Sequence, residues 1–174
     1  TGQARSGIIT IAGTSFTLNQ RGIAYYVDAT SGSDSNSGTI TEPWQTINKV
    51  NNASLVAGDT VYLKRGEIWS WAIVPVWSGT NGSPITFTAY GTGNNPKVIC
   101  PLGIGLGGLF INNQDYIVSD GVDYGNGTTE SSDMAGVVVV GTSANITLKN
   151  CTVTPGGYQS NGTGAIYIAS TATA

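Results

Sequence analysis

Residues 32–50 read GSDSNSGTITEPWQTINKV. A run of small polar residues meets Glu42-Pro43-Trp44, after which Trp44, Ile47 and Val50 fall at i, i+3 and i+6. Pro43 suits the first position of a helix, with Thr41 or Glu42 near its cap. Gln45, Asn48, Lys49 and Asn51 take the rest of the wheel. The pattern predicts one amphipathic helix of about ten residues, 43–53. So short a helix is marginal alone and must lie on an apolar surface.

The surroundings of that helix are strand-like. Residues 8–19, IITIAGTSFTLN, read as a hairpin, and Tyr25-Tyr26-Val27 as a strand. After Ala57-Gly58-Asp59 come TVYLK (60–64), WAIVPV (71–76), ITFTAY (85–90), KVIC (97–100), GLFI (108–111), YIVSD (116–120), GVVVV (136–140), NITLKNCTV (145–153) and AIYI (165–168). All are β-branched or aromatic, and Gly, Asn, Pro and Ser separate them. Gly108-Leu-Phe-Ile, Gly136-Val-Val-Val and Gly164-Ala-Ile-Tyr recur every 28 residues, and Asp115–Asp120 aligns with Asn145–Asn150 at a spacing of 30. A strand repeat of that period argues for a stacked solenoid, with a β-sandwich as the alternative. A solenoid's first turn exposes an apolar end and unpaired strand groups. The helix then reads as its cap, with residues 1–24 an N-terminal hairpin or extension and 25–174 the solenoid.

Composition narrows the function. Only 10% of the 174 residues are charged, Gly numbers 25 and the net charge is −3. The cations Arg5, Arg21, Lys49, Lys64, Arg65, Lys97 and Lys149 are scattered, which argues against nucleic-acid binding. No apolar run is long enough to span a membrane. The chain starts at Thr1 without a signal peptide, as expected of a processed or cut protein. The absence of histidine removes Ser-His-Asp, Cys-His and His-metal chemistry from this chain. Cys100 and Cys151 lie 51 residues apart, nearly two repeats. Stacked, they would be about 9–10 Å apart, beyond the roughly 7 Å reach of a disulfide, so two buried thiols are expected. Asn-x-Ser/Thr occurs at Asn52, Asn81, Asn126, Asn145, Asn150 and Asn161. Chance accounts for these in so Asn- and Thr-rich a chain, with glycosylation the alternative.

Tyr25-Tyr-Val-Asp-Ala29, Gly32-Ser-Asp-Ser-Asn-Ser-Gly-Thr39, Pro43-Trp-Gln-Thr-Ile47, Ala57-Gly-Asp-Thr-Val-Tyr-Leu63, Gly66-Glu-Ile-Trp69 and Ser83–Gly93 carry a resemblance, continued by Asp115–Gly121 and Asn145–Cys151. Together they resemble the N-terminal region of bacterial right-handed parallel β-helix proteins of the pectin-lyase-like superfamily. The resemblance implies an all-β solenoid of four or five turns and a secreted, extracellular or cell-surface protein that meets polysaccharide. It implies lyase or hydrolase chemistry on coils outside this chain, because neither the lyases' calcium-binding acids with a Lys or Arg base nor the hydrolases' paired aspartates with Gly-His-Gly are found here. A non-catalytic structural or adhesive solenoid is the alternative. No C-terminal cap is recognisable after residue 168, so further coils of the same protein or another subunit are expected to cover that end.

Several residues carry a sharp and a plain reading. Asp120 and Asp123 are the best carboxylate pair for acid–base or calcium work, with Asp115, Glu130 and Asp133 as neighbours. The alignment of Asp120 with Asn150 suits a turn ladder instead. Trp69, Trp71 and Trp77 share one parity and form either a sugar platform or a packing face. Asp28, Asp34 and Asn36 serve either calcium, the one cofactor left open, or Asx turns. Gly103–Gly108 lacks the order of a phosphate loop and no helix follows it.

Overall fold

Each extended segment ends in a tight polar corner, so the chain can return to its starting edge and pair with itself one coil later. The computed structural model describes residues 5–20, 22–101, 107–126, 135–155 and 165–170. In chain order the elements are β1 (Arg5–Ile11), β2 (Thr14–Gln20), β3 (Ala24–Val27), α1 (Ile47–Asn51), β4 (Thr60–Lys64), β5 (Ile68–Trp69), β6 (Ile85–Tyr90), β7 (Lys97–Cys100), β8 (Leu109–Asn112), β9 (Ile117–Asp120), β10 (Asp123–Asn126), β11 (Val137–Gly141), β12 (Ile146–Lys149) and β13 (Ile166–Ser170).

Strands β1 and β2 form an antiparallel hairpin that turns on Ala12-Gly13, both at positive φ. The rest is an all-β parallel solenoid of about three turns, fewer than the four or five expected. A first sheet runs β3-β4-β6-β9-β12, a second β5-β7-β10 and a third β8-β11-β13. Inward side chains stack from rung to rung. Ile85, Ile117 and Ile146 align in the first sheet, Trp69, Val98 and Tyr124 in the second, and Leu109, Val137 and Ile166 in the third. Phe87 and Ser119 align as well, and the buried Ser119 hydroxyl shares a 2.8 Å hydrogen bond with that of Tyr124. Burial pushes the Tyr124 phenol far up from its usual pKa, against the opposing Ser119 hydrogen bond.

The recurrent glycines have a steric cause. A side chain at Gly108 would place its first carbon 2.4 Å from the Val98 carbonyl oxygen, and one at Gly136 would lie 2.5 Å from that of Thr154. The repeat is 28 residues between β8 and β11, as expected, but 29 between β11 and β13 rather than 28, and 29 between β9 and β12 rather than 30. Ile117 pairs with Ile146 and Asp120 with Lys149, while Asn150 stands after β12 at positive φ, as Gly121 does after β9.

The helix differs from the expected 43–53. It is a single turn, Ile47–Asn51, capped by Thr46, whose hydroxyl accepts from Lys49 N at 3.1 Å. Trp44 instead bridges Val27 as parallel strand, and Asp34 binds Gln45 N and Thr46 N at 3.0 Å and the Thr46 hydroxyl at 2.6 Å. These bonds hold Pro43–Gln45 extended, so the helix starts later. Trp44, Ile47 and Val50 are nevertheless buried in one cluster with Val27, Val61 and Leu63. WAIVPV is a corner rather than a strand: Ala72 and Ile73 are consecutively buried, and only Ile73 bridges Leu109. Cys100 is buried and Cys151 half-buried, not bridged to one another.

We expect Gly136→Ala to lower stability by about 1–3 kcal/mol, because backbone on the next rung cannot yield. Gly7→Ala, where no atom lies within 4 Å, should shift the thermal midpoint little. Equal shifts for the two variants in thermal unfolding would contradict the steric account.

Candidate functional site

Only Gly121 and Val122 separate β9 from β10, so outward side chains of the first and second sheets crowd one corner. Asp120 closes β9 and Asp123 opens β10. Asn95, one rung earlier, donates to Asp123 Oδ1 and to the Asn150 carbonyl, both at 3.0 Å. Its own oxygen accepts from Arg65 Nη1 at 2.7 Å. Thr152 N also reaches Asp123 Oδ1, at 2.8 Å. Asp120 accepts from Asn150 Nδ2 at 2.8 Å and pairs with Lys149 at 3.2 Å. The Asn150 hydrogen bond is the main reason that its carboxyl is held below the usual range; slight burial opposes this and Lys149 adds to it.

Beside this network runs a groove of about 400 Å³ lined by Gly66, Glu67, Ile68, Asn94, Asn95, Lys97 and Asp123. It crosses three stacked rungs, β5, β7 and β10. Glu67 is committed: it accepts from Ala29 N and Thr30 N and lies 3.7 Å from Lys64. Lys97 and the second oxygen of Asp123 make no hydrogen bond or ion pair among the described residues. The groove therefore offers a cationic donor and an anionic acceptor with no protein partner among the described residues.

No family model matches the chain, and no curated protein matches it. Its fold is similar to that of a GH136 lacto-N-biosidase from Eubacterium ramulus, as selenomethionine derivative (24% identity, TM-score 0.70, 85% of this chain and 30% of that one). The native form of that protein gives 23% identity, a TM-score of 0.67, and 84% and 30% coverage. A rhamnogalacturonan lyase gives 26% identity and a TM-score of 0.55, over 72% of this chain and 34% of that one. The chain has a pectin-lyase-like parallel β-helix fold. It spans about a third of the length of the solved structures it resembles.

Within this β-helix the expected site residues disperse. Asp115 lies at the opposite end of β9 from Asp120 and accepts from Ala144 N at 2.7 Å. Glu130, Asp133, Asn161 and residues 103–106 lie outside the described residues. Trp69 is buried, its indole donating to the Gln45 carbonyl at 2.9 Å. Trp77 packs half-buried on the core, whereas Trp71 is 46% exposed. The corner at 70–72 breaks their common parity. Asp28 accepts from Thr30 N, Ser31 N and Lys64, Asp34 from Gln45 and Thr46, and Asn36 donates to the Pro43 carbonyl. Sequence reasoning missed Asn95 and Lys97. Their signal was the rung register, which sets Lys97 opposite Asp123.

Asp28, Asp34 and Asp120 all carry depressed folded-state pKa values. For Asp28 and Asp34 burial alone would raise them, but hydrogen bonds from Lys64 and Thr46 respectively outweigh it. A depressed folded pKa stabilises above the unfolded value of about 3.9 and is lost as pH falls through the folded value. Thermal midpoints should therefore hold above about pH 4 and fall below it, with a shallower acid limb in Asp34→Asn. An unchanged limb would remove Asp34 from the account.

Proposed function

We propose that this chain is the N-terminal β-helix segment of a secreted, polysaccharide-interacting protein, which holds polysaccharide across the stacked rungs at the groove. The observation that carries this reading is the uncommitted pair, Lys97 and Asp123 Oδ2, in a groove spanning β5, β7 and β10. Sugar hydroxyls need both donors and acceptors, and a groove crossing rungs suits an extended chain. The similarity to a lacto-N-biosidase and a rhamnogalacturonan lyase supports a carbohydrate role. Its sparsely charged, Ser- and Thr-rich composition suits secretion. Lyase or hydrolase chemistry belongs to coils outside this segment. Those coils or another subunit cover the last rung, where Ile146, Leu148, Ile166 and Ile168 line an apolar groove of about 320 Å³.

At the other end, the segment around α1 serves as the lid. Trp44 stacks on Tyr25 at 4.6 Å, and Ile47 and Val50 lie fully within the core. Val50→Asp should unfold the first turn, since an unpaired buried carboxylate costs several kcal/mol. Circular dichroism retaining full thermal stability in that variant would refute the lid.

One observation favours a second reading, a structural or adhesive solenoid. Asn113, Asp115 and Asp120 spend their side-chain acceptors on the neighbouring rung.

Affinity electrophoresis in gels containing rhamnogalacturonan tests the first reading. We expect the protein to be retarded, and Lys97→Ala and Asp123→Asn each to weaken retention about tenfold, or about 1.4 kcal/mol. Ultraviolet absorbance should reveal no unsaturated product from this segment. Absence of retention, or retention indifferent to both substitutions, would favour the second reading; product formation would show that the segment holds a complete site.

A further inference from the structure

The segment that enters β6 makes a tight turn. Thr80 and Ser83 bridge antiparallel around Asn81-Gly82. Ser83 N donates to the Thr80 carbonyl at 2.9 Å, and Thr80 N to the Ser83 carbonyl at 3.1 Å. Gly82 sits at φ 79°, the conformation that a type II turn asks of its third residue. On either side, Gly79 N donates to the Asp115 carbonyl at 2.9 Å and Ile85 N to that of Tyr116 at 3.0 Å. The turn therefore lies between two bonds to the next coil.

Asn81 and Gly82 are both exposed, and neither the Asn81 side chain nor the Gly82 N–H makes a hydrogen bond among the described residues. Beyond its chain neighbours, no atom lies within 4 Å of where a side chain at Gly82 would begin. An unheld amide thus stands beside an unshielded backbone nitrogen. Other asparagines lack one condition or both. Asn51 donates to the Ala72 carbonyl, Asn52 to that of Asn48, and Asn150 to Asp120, and each precedes a residue with a side chain. Asn94 and Asn145 keep unpartnered amides but precede Asn95 and Ile146, whose side chains shield the next nitrogen. The pairs at 126–127 and 161–162 reach outside the described residues.

We propose that Asn81-Gly82 is a site of spontaneous deamidation whose isoaspartate product loosens the join between this coil and the next. The Gly82 nitrogen attacks Asn81 Cγ and loses its proton, the Cγ–Nδ2 bond breaks, and ammonia leaves a five-membered succinimide. Water then opens the ring. Cleavage between Cγ and the Gly82 nitrogen gives aspartate on an unchanged backbone. Cleavage between the main-chain carbonyl carbon and that nitrogen gives isoaspartate, with the chain rerouted through Cβ and Cγ. Nothing is oxidised or reduced: an amide and water become an acid and ammonia. Isoaspartate adds one atom to the backbone of a turn held at both ends, so Thr80 and Ser83 lose their paired bonds and the displacement reaches Gly79 and Ile85. Aspartate leaves these bonds intact. The site is independent of the carbohydrate reading.

The test is peptide mapping of the full chain after prolonged incubation in neutral buffer at physiological temperature. Trypsin releases residues 66–97, which hold Asn81 and, as an internal control, Asn94. We expect the mass change of an amide-to-acid exchange at Asn81, with isoaspartate detected by an isoaspartate methyltransferase. Asn94 and Asn145 should react at least about tenfold more slowly, a barrier higher by about 1.4 kcal/mol. The thermal midpoint of the aged protein should fall, while those of fresh Asn81→Asp and aged Asn81→Gln should match the unaged chain. No exchange at Asn81, or exchange no faster than at Asn94, overturns the site. Aspartate without isoaspartate, isoaspartate with an unmoved midpoint, or an equal fall in aged Asn81→Gln overturns the loosening and leaves the site standing.

Discussion

A parallel rung can satisfy its backbone only through the rungs on either side, and this constraint shapes the molecule. Every coil must return to the same edge with the same register, because slipping one residue would turn the whole inward stack outward. Corners must therefore be short and repeat their geometry. Non-glycine residues accept left-handed backbone there, at Asn113, Tyr116, Asn145 and Asn150. Tyr116 and Asn145 precede β9 and β12 at equivalent places, and both adopt that conformation at φ 54° and 57°. Orphan amides at these corners are met by side chains of the neighbouring coil. Asn113 accepts from Thr142 N, Asp115 from Ala144 N and Asp123 from Thr152 N. Many carboxylates of this chain are thus committed to holding coils together before any chemistry is considered.

The interior obeys the same rule with apolar groups. Aliphatic stacks fill the three sheets, and a polar inclusion between them, Ser119 with Tyr124, is internally satisfied, as a buried hydroxyl must be. Asp59 plays a comparable part near the start of the solenoid. Fully buried, it accepts from Ile23 N at 2.7 Å and Val56 N at 3.0 Å, which ties the entry strand to the loop before β4.

Much of this was legible in the sequence because a recurring corner leaves a recurring residue. Gly108 and Gly136 mark the period because only glycine tolerates the neighbouring carbonyl there. The spacing of 30 failed because Asp120 and Asn150 look chemically alike, whereas the equivalent backbone positions are Gly121 and Asn150, 29 apart. Helix length was misread because burying Trp44, Ile47 and Val50 gives one pattern whether Trp44 is helical or extended. Strand β10, DYGN, was missed because Asp123, Gly125 and Asn126 are poor strand formers and outweigh Tyr124, and pairing with β7 imposes the conformation. The groove could not be read locally: Lys97 and Asp123 become neighbours only when rungs are laid in register.

At the corner between β9 and β10 the side chains are committed atom by atom rather than residue by residue. Asp123 gives Oδ1 to Asn95 and Thr152, which fixes the carboxylate, and keeps Oδ2 without a partner among the described residues. Asp120 gives Oδ1 to Asn150 and Oδ2 to Lys149, so it reaches a ligand only by sharing oxygens already engaged. A carboxylate anchored through one oxygen loses little further entropy on binding, whereas one anchored through both must exchange existing bonds. The binding reading proposed for this corner rests on preorganisation of this kind. It also explains why two aspartates three residues apart, alike in sequence, are unequal as contacts: Asp123 keeps one acceptor without a partner among the described residues, while both oxygens of Asp120 are engaged by Asn150 and Lys149.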